Sequence, residues 1–136
     1  MAKYLNRARQ LGRMGAQYRD LKEAIGLYNE YIDECMELDT NGEEFMIEYG
    51  QQLDAMKLII NSDIDRIKEG MPKKEAAFIR EYYYKGLSFP EACKALKVTQ
   101  AQGAEIRRSA LEHFDEIQGK HEEKMKTLFK RRVNHG

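Results

Sequence analysis

The sequence predicts an all-α protein, with an N-terminal antiparallel helical hairpin followed by a compact module of three helices. Three observations carry this expectation. Apolar residues recur at alternating spacings of three and four from Leu11 to Cys35. A second run with the same period extends from Met46 to Ile67. The stretch from Pro72 to Phe114 is then cut by capping and turn residues into three shorter helical pieces. Only two prolines, 34% charged residues and a mean hydropathy of −0.74 fit long, partly exposed helices better than a single ball.

The first helix opens basic, with Tyr4, Leu5 and Leu11 as the apolar points of its leading segment. Its seam is Leu11, Met14, Tyr18, Leu21, Ile25, Tyr28, Ile32 and Cys35, a coiled-coil spacing held for more than three heptads. Gly12, Gly15 and Gly26 each weaken a helix by roughly 1 kcal/mol relative to Ala. The expected start therefore falls nearer Ala16, with a looser segment before it. Asp39-Thr40-Asn41-Gly42 reads as the turn. The second helix is expected from about Glu43 to Glu69, with Met46, Tyr49, Leu53, Met56, Ile60, Ile64 and Ile67 inward and Phe45, Leu58 and Ile59 widening the stripe. A short turn between long helices makes them antiparallel neighbours. Such a pair buries one stripe per helix, so it needs a third surface. An intramolecular core and a homodimer through the hairpin both satisfy that need.

In the module, Ala76, Ile79, Tyr82 and Tyr83 share a helical face between Lys73 and Lys85, and Gly86 closes that helix. Ser88-Phe89-Pro90-Glu91 is a capping box with proline in the first turn. Ala92, Ala95 and Leu96 form the inner face of a short second helix, and a turn containing Val98 follows. Thr99 is the expected N-cap of a third helix, with Ile106, Ala110, Leu111 and Phe114 inward. Short helix, tight turn and longer helix spell a helix-turn-helix.

Ile79, Gly86-Leu87-Ser88-Phe89, Glu91-Ala92, Leu96-Lys97-Val98-Thr99 and Ala110-Leu111 together resemble region 4 of bacterial sigma factors, over about a third of the chain. With Tyr4-Leu5-Asn6, Arg9 and Leu11 at the front, the whole chain resembles small phage and prophage regulators of the RinA/ArpU type. That resemblance implies a tri-helical DNA-binding module, late-gene activation, and double-stranded DNA and RNA polymerase as partners. Three departures stand out. Lys97 replaces the usual turn glycine. Gly103 replaces an apolar anchor and should leave a gap. The leading turn Gln100-Ala101-Gln102 lacks the charged pattern of primary sigma factors, so a standard promoter element does not follow.

A helix-turn-helix presents the first half of its last helix to the bases. The candidate DNA-binding residues are therefore Thr99, Gln100, Gln102, Glu105 and Arg108, with Lys94, Lys97, Arg107 and Arg108 facing phosphates. Gln pairs with adenine, Glu accepts from cytosine and Arg prefers guanine. Carrying the family's base-facing positions over gives Gln100, Ala101, Ala104 and Glu105, where the alanines offer only a methyl contact.

Net charge is zero but unevenly distributed. Residues 71–136 hold 14 Lys/Arg against 9 Asp/Glu, and residues 20–70 hold 4 against 14. This suits phosphate contact at one end only. The expected organisation is a hairpin over residues 1–70, a DNA-binding module over 71–118 and a basic tail over 119–136. Gly119 interrupts the tail's periodicity, leaving either a solvated helix or a phosphate-contacting extension.

No apolar run approaches the ~20 residues needed to span a bilayer, so no membrane partner and a cytoplasmic location are expected. Cys35 and Cys93 read as buried free thiols, and His113, His121 and His135 as solvent-exposed side chains outside any ligand set. No nucleophile, phosphate loop or cofactor motif points to an enzyme. Two other functions fit the same pattern: a helical adaptor binding proteins through the acidic hairpin, and a DNA-packaging recognition subunit resembling the small terminase.

Overall fold

The computed structural model describes residues 2–38 and 40–135, with side chains described for 3–35, 37, 42–132. The described residues form five α-helices and no strand. A 3₁₀ turn (Ala2–Tyr4) leads into α1 (Leu5–Leu38), and α2 (Thr40–Gly70) follows. Then come α3 (Lys73–Ile79), a π-helical turn (Arg80–Tyr84), α4 (Phe89–Ala95) and α5 (Gln100–His135).

The seam is the inward face of α1 and α2. Leu21, Leu53 and Ile60 are buried together, with Tyr18, Ile25, Tyr28, Tyr49 and Ile64 packed around them. Tyr28, late in α1, lies beside Tyr49, early in α2, which sets the two helices antiparallel. Four seam expectations change. Met56 is 46% exposed, and Phe45, Leu58 and Ile59 are more exposed still, so the wider stripe points outward. Thr40 to Gly42 open α2 instead of forming a turn, because nothing in the sequence there forbids helical backbone. Asp39 lies outside the described residues.

The larger core lies where α1 meets the C-terminal helices. Leu11 and Phe78 have no exposed surface, and Ile67, Met71, Ile79, Tyr83, Tyr84, Ala92, Ala110 and Phe114 complete the cluster. Helix α1 starts at Leu5, eleven residues ahead of the expected Ala16. Tertiary packing overrides the glycine propensities there. Gly15 is buried, and a Cβ at that position would sit 1.9 Å from the Tyr83 carbonyl oxygen. Only a glycine lets α1 approach the π turn so closely.

The π turn explains what α1 does at that crossing. Its Lys85 N–H bonds back to the Arg80 carbonyl at 2.9 Å, and the Leu87 N–H to the Glu81 carbonyl at 3.2 Å, while Gly86 takes φ +75°. The late carbonyls of the turn are left needing donors, as at any helix C-terminus. Arg19, one turn beyond Gly15, donates Nη1 to the Tyr83 and Tyr84 carbonyls at 2.8 and 3.0 Å. Widening the turn also places Tyr83 and Tyr84 inside, with Tyr82 on its flank. Burial pushes the Tyr84 phenol up to about 12, aided by the nearby Asp63 charge.

Gly12 offers a control for Gly15, since a Cβ there meets nothing within 4 Å. Gly15→Ala is expected to destabilise by about 2–4 kcal/mol through overpacking against backbone. Gly12→Ala is expected to stabilise by about 0.5–1 kcal/mol through helix propensity. Urea unfolding midpoints at constant m decide whether the same substitution has opposite signs three residues apart.

Candidate nucleic-acid interface

The leading end of α5 is set by α4 and the turn between them. Ser88 Oγ accepts from the Glu91 N–H at 3.3 Å, and Glu91 Oε1 accepts from the Ser88 N–H at 3.0 Å, with Pro90 in the first turn. The bond from Ser88 holds the Glu91 carboxyl below the usual carboxylate range. At the other end of α4, the Lys97 N–H reaches the Lys94 carbonyl and the Val98 N–H reaches the Cys93 carbonyl. These are the paired bonds of a Schellman motif. Its left-handed residue is Lys97, at φ 60°. The turn keeps glycine's geometry with a lysine in it.

Thr99 and Gln102 form a second reciprocal cap. Thr99 Oγ1 accepts from the Gln102 N–H at 3.1 Å, and Gln102 Oε1 accepts from the Thr99 N–H at 2.9 Å. Gln102, expected to read bases, therefore has its carbonyl oxygen engaged at the helix start. Gln100, Ala101, Ala104, Glu105 and Arg108 are exposed along the first turns of α5, and Lys94 and Lys97 are exposed beside them. Arg108 bridges Glu105 at 3.0 Å and Glu112 at 2.9 Å. Exposed pairs of this kind are weak and screened by salt, so they hold Arg108 only loosely. Arg107 is half-buried with its guanidinium 5.4 Å from the centre of the Tyr82 ring. It packs on the module instead of extending from it.

Gly103 corrects a second expectation. A Cβ there would meet Cys93 Sγ at 2.3 Å, so the thiol fills the space and no gap exists. Cys93 takes the inward position, and Ala95 is exposed. Cys35 is only half-buried, and Val98 likewise.

Beyond its leading end, α5 is anchored by polar contacts that the sequence pattern did not reveal. Glu75, buried on α3, accepts from His113 Nδ1 at 2.5 Å and from Ser109 Oγ at 3.2 Å. His113 thus pairs with a carboxylate instead of standing free in solvent. Farther along, Arg7 bonds Asp115 at 2.8 Å and Glu122 at 3.0 and 3.1 Å. Arg66 donates to Gln118 at 3.0 Å. Helix α5 runs through Gly119 without a break, so the basic tail continues the same rod for a total of 36 residues.

Among the described residues, no group of three or more His, Cys, Asp or Glu side chains is placed to hold a metal ion, and no helix is long and apolar enough to cross a membrane. No protein-family model, curated protein or solved structure matches the chain.

Two outcomes follow from this geometry. Lys97→Gly removes a left-handed side chain and should raise stability by about 1 kcal/mol in chemical unfolding. The Glu75 hydrogen bond, followed by the Glu75 charge and then those of Glu116 and Glu112, raises the His113 pKa above its ordinary value against a smaller opposing effect of burial. The folded pKa therefore exceeds the unfolded one, and the pair's stabilisation is complete below about pH 6.5. It is lost as pH rises through the folded value. Unfolding curves from pH 5.5 to 8.5 should show that decline in the wild type and a flatter profile in His113→Gln.

Proposed function

We propose that the chain is a sequence-specific DNA-binding transcription regulator of phage or prophage type. In this reading α3 to the first half of α5 is a sigma-region-4-like helix-turn-helix, and the leading end of α5 enters a major groove. The observation that carries it is the exposed end of α5: a capped helix start held at a fixed angle by the Lys97 turn, with Gln100, Glu105 and Arg108 outward. Lys94 and Lys97 flank that end for phosphate contact. Late-gene activation in the host cytoplasm, acting with RNA polymerase, rests on the sequence resemblance alone.

A second reading is an adaptor for a protein partner. It is favoured by Phe45, Met56 and Ile59, exposed on one side of α2, a helix in an acidic stretch of the chain.

Selection of bound duplexes from a random pool tests the DNA reading. The wild type is expected to enrich one motif. Gln100→Ala should relax it at one position, by about 1–3 kcal/mol of discrimination. Arg108→Ala should weaken all sequences evenly and reduce the salt slope by about 1 if it contacts phosphate. Failure of the wild type to enrich any motif rules the reading out.

A further inference from the structure

The geometry points to a second copy of this chain as the occupant of an open groove between α2 and the distal half of α5. The groove encloses about 960 Å³. Its apolar lining includes Leu58, Ile117, Met125 and Leu128. Leu58 is 73% exposed, Met125 52% and Leu128 49%, and Phe129, which follows Leu128 in the chain, is 69% exposed. Single exposed apolar side chains are ordinary on a protein surface. Three large ones lining one groove make a face of the kind that marks an interaction site.

Charge decides between occupants. The α2 wall carries Asp65 and Glu69, with Arg66 between them bonded to Asp63 and Gln118, and the α5 wall carries Lys120 and Lys124 beside Glu116. Neither Asp65 nor Glu69 has an ion pair among the described residues. A groove lined by both signs suits a partner that carries both, and not duplex DNA or an anionic lipid surface, whose charge is of one sign. The end of α5 offers the opposite surface: Lys130, Arg131 and Arg132 follow the apolar row and are likewise without ion pairs among the described residues. One chain therefore carries both halves of a complementary contact, an apolar row leading to unpaired cations and a partly apolar groove whose α2 wall bears unpaired carboxylates. The hairpin seam is already buried within the chain, so it leaves this groove as the free apolar surface of α2 nearest the tail.

In the complex, the α5 end of each copy lies across the groove of the other. Met125, Leu128, Phe129 and Leu58 of the two copies form one shared core, and the basic ends reach the partner's Asp65 and Glu69. The same patch serves both copies, so the contact is two-fold and closes at a dimer. This inference does not depend on the DNA reading, and none of its residues belongs to the leading end of α5.

Light scattering after gel filtration provides the test, with circular dichroism confirming that each variant keeps its helicity. The wild type is expected at twice 15.9 kDa in the micromolar range. Lys130→Glu with Arg131→Glu reverses the tail, and Asp65→Lys with Glu69→Lys reverses the groove. Each double variant alone should be a monomer. Mixed in equal amounts they should form a heterodimer, because both reciprocal contacts then pair opposite charges. Leu128→Glu with Phe129→Glu should weaken self-association more than about thirtyfold, with no rescue on mixing. A wild type that stays at 15.9 kDa at high micromolar concentration overturns the proposal. So does a dimer untouched by either reversal, a mixture that stays monomeric, or an assembly larger than two.

Discussion

Everything in this molecule is arranged around the crossing of α1 over the π turn at Gly15. The backbone of α1 comes so near the Tyr83 carbonyl that no side chain fits between them. Arg19, one turn on, supplies the donor that the turn's late carbonyls lack. Close approach and carbonyl capping reinforce each other. A side chain at position 15 would push the Tyr83 carbonyl away from α1, and without Arg19 two part-buried carbonyls would lose that donor. The crossing also explains why α1 is helical from Leu5, through glycines that in isolation would favour a later start.

The consequence for α5 is positional. Its middle is fixed from three directions: Glu75 on α3 holds Ser109 and His113, Arg7 on α1 holds Asp115 and Glu122, and Arg66 on α2 holds Gln118. Among the described residues, its two ends show no such ties to another helix. The leading end, capped by Thr99 and Gln102, stands at the surface beside α4, and the trailing end passes along α2 with its apolar row uncovered. A rigid rod gripped at its centre couples whatever its two ends bind, because neither end can tilt without disturbing the buried Glu75 contacts. The proposed DNA contact and the proposed dimer contact are therefore geometrically linked through one helix.

Much of the fold was legible beforehand. The three-four spacing of Leu11 through Cys35 identified the inward face of α1, since burial of a helix depends on which side chains share a face. The capping box at Ser88 and the N-cap at Thr99 were readable because local hydrogen-bonding chemistry sets them. The leading end of α5 was likewise placed, though Gln102 proved to be part of the cap and Arg107 to lie on Tyr82. Glycine was misread in both important places. At 15 and 103 it looked like a weak point or a gap, and in each case it is a site of close contact. A small residue has the same appearance in a sequence whether it is loose or tightly packed. The difference lies in a neighbour distant along the chain.

By itself, then, the sequence determined an all-helical chain, the faces its helices bury, the caps that start α4 and α5, and the separation of acidic hairpin from basic C-terminal half. Those properties follow from periodicity and from bonds between residues a few positions apart. Only the tertiary structure decided that α1 begins at Leu5, that the Tyr-rich segment widens into a π turn, that Lys97 carries the left-handed backbone, and that Arg7, Arg19 and Glu75 are ties between helices. Apart from the Lys97 turn, whose bonds are local, these depend on residues far apart in the chain, where the energy of packing and charge pairing exceeds any local preference.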